Sequence, residues 1–205
     1  MNNEKHNCFI SFKKEDIIYK NKILEKLGKE RIRGRALDRW IDSDDIFYIM
    51  QKIREEYMNN TSVTIFLIGS HSSEKEGFDI YGDKNTFIKK ELQATLYDGK
   101  NFRRSGLLGV VLPEMEDKIY LGDYICSICG EKHRLVKIND DTVIKEFSVN
   151  YYLKKDAGCS YTEEGRFCVL VKYRDFINNP DTYIDKAYEK LDKPISKEVH
   201  WRNLR

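Results

Sequence analysis

The sequence predicts an α/β fold, a central parallel sheet with helices on its faces. Three observations predict it. Val63–Ile68, interrupted only by Thr64, and Leu107–Leu112 are continuous apolar runs without alternation. Strands of that kind are buried on both faces, as in a sheet covered from both sides. Between the apolar runs, apolar residues recur at helical spacing, so strand and helix alternate along the chain. Parallel neighbours need such crossovers.

The elements follow in order. Cys8-Phe9-Ile10-Ser11-Phe12 reads as the first strand, and Lys13–Asp16 as a charged loop. Tyr19, Ile23 and Leu27, with Leu24 beside them, form one helical face that Gly28 ends. Residues 36–41 predict a short strand. Ile46, Ile49, Met50, Ile53 and Tyr57 give the clearest amphipathic helix. Residues 63–68 make the central strand, and Gly69–Ser73 a polar loop after it. Ile88, Leu92 and Leu96 mark a helix that stops near Asp98-Gly99, and Pro113 ends the strand over 107–112. Residues 114–166 are polar and weakly periodic, and read as an insertion. The pattern resumes with the strand Phe167–Val171. Asn179 and Pro180 then suit the cap and first turn of a helix carrying Ile184, Ala187, Tyr188 and Leu191, which Lys193-Pro194 ends. The expected organisation is one domain over residues 1–205, with its core in 8–113 and 167–192.

Composition narrows the function classes. A chain of 205 residues with 40% apolar and 34% charged residues can bury a core and is not disordered. Its 36 basic and 34 acidic residues nearly cancel, so no overall basic field points to nucleic acid. The start, Met1-Asn2-Asn3-Glu4-Lys5-His6, lacks the basic and apolar regions of a signal peptide. No apolar run nears the ~20 residues that span a bilayer. The expectation is a cytoplasmic protein without membrane partners.

Alternating folds often bind nucleotides at the C-terminal strand edge. A glycine-rich phosphate loop would let backbone N–H groups approach phosphates. The loop after the first strand, Lys13-Lys14-Glu15-Asp16, has no glycine, which disfavours dinucleotide, P-loop and flavin fingerprints. The 63–68 strand ends in Gly69-Ser70, so the acceptor Asp of a phosphoryl receiver is missing as well.

What remains resembles a TIR domain. The matching residues are Cys8-Phe9-Ile10-Ser11-Phe12 with Asp16, then Asn60–Ser70, which is similar to an "NTSVT-x-x-LIGS" segment of bacterial TIR-like proteins. Phe87-Ile88-Lys89-Lys90-Glu91-Leu92 corresponds to the family's glutamate-bearing helix, with Phe87 where a Trp is usual, and Leu108–Leu112 to the strand after it. The branch includes the TIR proteins of Thoeris anti-phage defence. The resemblance implies a flavodoxin-like parallel sheet and cleavage of NAD+, with Glu91 as the catalytic residue. It also implies an ADP-ribose-derived signalling nucleotide, such as a cyclic ADP-ribose isomer, that reaches a downstream effector. Self-association and activation by a phage component go with that reading. A TIR module that only assembles, or a nucleotide sensor, is the alternative.

The residues carry their own argument. Glu91 lies three after Ile88 and one before Leu92, on the border of an apolar face. A carboxylate there can enter a cleft and stabilise the oxocarbenium character that develops as a ribosyl bond breaks. Nicotinamide leaves as a neutral group, so one carboxylate suffices. Ser11, Phe12 and Ser70 fall at strand ends on the ligand edge. The hydroxyls suit ribose or phosphate; Phe12 suits either ring stacking or the core. Asp38 and Trp40 sit in the segment corresponding to the family's variable loop, where Trp40 would either cover a ligand ring or seal the sheet edge.

Five cysteines remain to be explained. Cys126-Ser127-Ile128-Cys129-Gly130 reads as a zinc knuckle, two thiolates across a tight turn. His133 and Cys159 complete the expected zinc set; Cys168 opens an apolar strand and reads as buried. A thioredoxin-like role fits less well, because this pair does not begin a helix after a strand.

Overall fold

The computed structural model describes residues 5–35, 37, 41–43, 45–75, 86–99, 102–154 and 161–201. Four strands form the main sheet: β1 (Cys8–Ser11), β2 (Val63–Ile68), β3 (Gly106–Val111) and β6 (Val169–Lys172), in the order β1-β2-β3-β6. All three pairings are parallel. The α/β class is therefore as the apolar runs predict. Every residue of β1, β2 and β3 is buried, which is why their sequences do not alternate.

Successive residues of β2 point to opposite faces. Val63, Ile65 and Leu67 join a core with Ile23 and Leu27 of α1 (Ile17–Leu27) and Ile184 and Ala187 of α7 (Pro180–Glu189). Phe66 and Ile68 face the other way, toward Ile88, Leu92 and Leu96 of α3 (Thr86–Leu96). A third cluster surrounds α2 (Ile46–Glu56), with Ile49, Met50, Ile53, Phe9 and Leu37. Asp45 caps α2; its side chain accepts from the N–H groups of Phe47 and Tyr48.

Three local features refine the sequence reading. The strand expected over 36–41 falls mostly outside the described residues. Leu37 and Ile41 pair in no strand, and the outer side of β1 is met instead by a parallel bridge from Ile32 to Cys8. Asn179 does stand at the N-cap of α7, with Pro180 in its first turn, but its side chain makes no capping hydrogen bond. A short helix, α6 (Tyr173–Asn178), also precedes α7, a turn too brief for a periodic signal.

The insertion divides in two. After α4 (Glu116–Ile119), β4 (Tyr120–Ile125) and β5 (Lys132–Val136) form a separate antiparallel hairpin whose residues are mostly exposed. The remainder returns to the body. Ile138, Val143 and Ile144 are buried beside Phe147 and Tyr151 of α5 (Lys145–Tyr151), in the core shared with α3. The rings of Phe147 and Phe66 lie 5.7 Å apart, so the insertion supplies part of one sheet face. Among the described residues, no helix is long and apolar enough to cross a membrane.

Candidate active site

Parallel pairing puts the C-terminal ends of β1 and β2 side by side, with Ser11 opposite Phe66. α3 crosses beneath them. Thr95 fixes its height: its hydroxyl donates to the backbone carbonyl of Glu91 at 2.9 Å and lies 2.9 Å from the hydroxyl of Thr64 on β2. Both threonines are buried, so this link is protected from water.

Glu91 then points into the protein. It is only 2% exposed, and both carboxylate oxygens are taken. Ser11 donates its hydroxyl to Oε2 at 2.6 Å, and the backbone N–H of Leu37 donates to Oε1 at 2.8 Å. Burial disfavours the charged form and pushes this carboxyl up to about 7. The two hydrogen bonds and the charge of Lys13 oppose that rise without cancelling it. A carboxyl poised near neutrality, inside an apolar helix face and at a strand edge, belongs to the kind of group enzymes use.

A second carboxyl occupies the same edge. Asp16, in the turn after β1, is 3% exposed and its Oδ2 has no hydrogen-bond partner. Desolvation, with help from Glu114 and Glu15, raises it to about 6. It packs against Gly69, just after β2; a Cβ built on Gly69 would stand 2.4 Å from Asp16 Oδ1. The loop from Gly69 is held by Ser72, which accepts from the Gly69 N–H at 2.9 Å and donates to the Leu67 carbonyl at 3.1 Å. Asp16 and Ser72 are contributors that sequence reasoning did not single out as site residues. Asp16 entered the sequence reading only through the charged loop and the resemblance, and Gly69, directly after an apolar strand, is the kind of residue that permits a close approach.

The structure sorts the predicted residues as follows. Ser11 and Glu91 are in direct contact. Phe12 is half-buried against the α1 side of the core, with the Lys20 ammonium 5.8 Å above its ring. Ser70 is partly exposed in the loop beside Gly69. Asp38 and Trp40 lie outside the described residues. A groove of about 660 Å³ opens elsewhere, lined by Ile138, Asn139, Tyr152, His200 and Trp201 among others, and includes none of these residues.

The TIR-like domain of Thoeris protein ThsB, as a family model, matches residues 9–117. The chain belongs to that family. Its defence-associated TIR module thus spans β1 through α4 and contains Ser11, Asp16, Gly69 and Glu91. No curated protein matches the chain.

The predicted metal ligands lie past the matched span. At the tip of the β4–β5 hairpin, the ligand atoms of Cys126, Cys129 and His133 lie within 4.8 Å of one another. Cys129 Sγ is 3.1 Å from His133 Nε2. Cys159 lies outside the described residues, and Cys168 is buried just before β6, as its apolar context implied.

Proposed function

We propose that this TIR module cleaves the nicotinamide–ribose bond of NAD+, with Glu91 as the catalytic carboxylate. The observation that carries the reading is Glu91 itself. It is a buried carboxyl, raised to about 7, at the strand edge where such folds bind ligands. In its ionised form it would accept hydrogen bonds from ribose hydroxyls. These bonds strengthen as positive charge grows on the sugar. Departure of neutral nicotinamide needs no proton, so the second carboxyl of a glycosidase is dispensable here. Ser11 positions Glu91, and Lys13 favours its charged form.

Access is the remaining requirement. Because Glu91 is only 2% exposed, a ribose reaches its carboxylate only after a neighbour such as the Leu37 N–H or the Ser11 hydroxyl is displaced. Leu37 itself pairs in no strand, whereas Ser11 is fixed within β1. We therefore expect low basal turnover, raised by assembly or by a trigger that frees the carboxylate. In the defence setting, the freed ADP-ribosyl group would become a diffusible signal for an effector, either cyclised or hydrolysed according to which nucleophile the pocket admits.

The test is to incubate dilute and concentrated protein with NAD+ and separate the products by chromatography with mass detection. Glu91-dependent nicotinamide release is the expected result. The mass of the second product then distinguishes hydrolysis from cyclisation. Protein that binds NAD+ but releases no nicotinamide, dilute or concentrated, would argue for the binding-only reading.

A further inference from the structure

The tip of the β4–β5 hairpin assembles donors that the NAD+ reading does not use. We propose that Cys126, Cys129 and His133 bind a zinc ion, and that this ion holds the hairpin together.

The geometry is that of a knuckle. Cys126 follows β4 directly, and its N–H donates to the Glu131 carbonyl across the turn at 2.9 Å. The Gly130 N–H returns to the Cys126 carbonyl at 2.9 Å, closing a tight loop. Gly130 has φ +74°, a conformation that other residues rarely adopt, so the glycine after the second cysteine is required by the turn. The Ile128 N–H points at Cys126 Sγ at 3.4 Å. An amide donated to sulfur stabilises a thiolate, as outer-shell donors do in metal sites. His133, paired across from Tyr124 on β5, brings its ring to Cys129.

Tetrahedral zinc, with bonds of about 2.3 Å to sulfur and 2.0 Å to nitrogen, would space its ligand atoms roughly 3.5–3.8 Å apart. The three donor atoms here start at 3.1 Å and stay within 4.8 Å, so changes in their spacing of up to about an ångström would seat the ion. Two thiolates and an imidazole select zinc over the oxygen-seeking cations.

The hairpin also has reason to need it. A lone two-stranded hairpin is marginal in water. Its strand residues are largely exposed, and Leu121, Ile125, Ile128 and Leu135 bury little. Its ion pairs, Lys132 and Arg134 with Asp123, are exposed and contribute little. Metal ligation supplies the missing order. The site lies beyond residues 9–117, so the inference is independent of the NAD+ reading.

The test uses the full chain, purified without a polyhistidine tag and dialysed. We expect about one zinc per chain by elemental mass spectrometry, the stoichiometry of a single structural site. Cys129→Ser and His133→Ala should each abolish retention. In the wild type, a chelator should speed hydrogen exchange of the amides over 120–136 and leave β1, β2 and β3 protected; adding zinc should restore protection. That arm does not depend on the variants folding. Metal-free protein whose hairpin amides exchange equally with and without zinc would overturn the proposal. So would zinc that both variants retain.

Discussion

Glu91 and Cys126 are held in opposite ways. Glu91 is fixed from every side by the fold: by Thr95 and Thr64 through its backbone, by Ser11 and the Leu37 N–H through its carboxylate, and by the apolar face of α3 around it. That surrounding is complete before any ligand arrives, and its cost is borne by the carboxyl, which burial pushes toward its neutral form. Cys126, though buried itself, stands on a hairpin whose strand residues are mostly exposed, where backbone turns bring it near Cys129 and His133; on our proposal an ion supplies the final order. One site is set by packing and constrained by it; the other, on our proposal, depends on something added. The contrast teaches where sensitivity should lie. The first should respond to pH and to core substitutions, the second to chelation.

The largest effect tests the packed side. Phe147→Ala empties a fully buried position against Phe66 and should destabilise the protein by about 3–5 kcal/mol in denaturant titration. Ile128→Ser, on the exposed hairpin tip, should stay within about 0.5 kcal/mol. If both cost the same, the division of the insertion into core and arm is wrong.

Glu91→Gln comes next. The folded value of about 7 lies above the ordinary 4.5, so the neutral carboxyl contributes stability that is fully present below pH 4.5 and is lost as pH rises through 7. Gln keeps the shape, accepting from Leu37 N–H and donating to the Ser11 hydroxyl, and carries no charge to bury. The variant should therefore gain about 1–3 kcal/mol over wild type at pH 8 and almost nothing near pH 4. Thermal melts at the two pH values read this directly.

Gly69→Ala follows, with a loss of about 1–3 kcal/mol as the new methyl displaces the Asp16 carboxyl. Its melting curve shows whether Asp16 is as confined as its burial implies. Chelation is the smallest for the body: the main unfolding transition should move by less than about 1 kcal/mol, because the hairpin adds little to the core.

The sequence made the sheet legible for a simple physical reason. Strands buried on both faces cannot alternate, so Val63–Ile68 and Leu107–Leu112 announced themselves. Glu91 was legible from the resemblance together with its place on the border of an apolar face; its burial and its bond to Ser11 were not, because a partner 80 residues away leaves no local signal. The Ser11 hydroxyl, expected to take a ribose or phosphate contact, donates to Glu91. The core role of 138–151 was hidden too. Ile138, Val143, Ile144, Phe147 and Tyr151 are brought to one surface by a loop and a short helix, and such a face has no sustained period. The clustering of Cys126, Cys129 and His133, by contrast, was readable because they lie within eight residues of one another.

The most direct measurement is nicotinamide release from NAD+ by wild type and Glu91→Gln, at pH 6 and pH 8, on concentrated protein whose folding has been verified by melting. Release should come from the wild type alone and should increase from pH 6 to pH 8 as Glu91 ionises through about 7, while the variant stays inactive and at least as stable. A folded Glu91→Gln protein that releases nicotinamide at the wild-type rate would contradict the account.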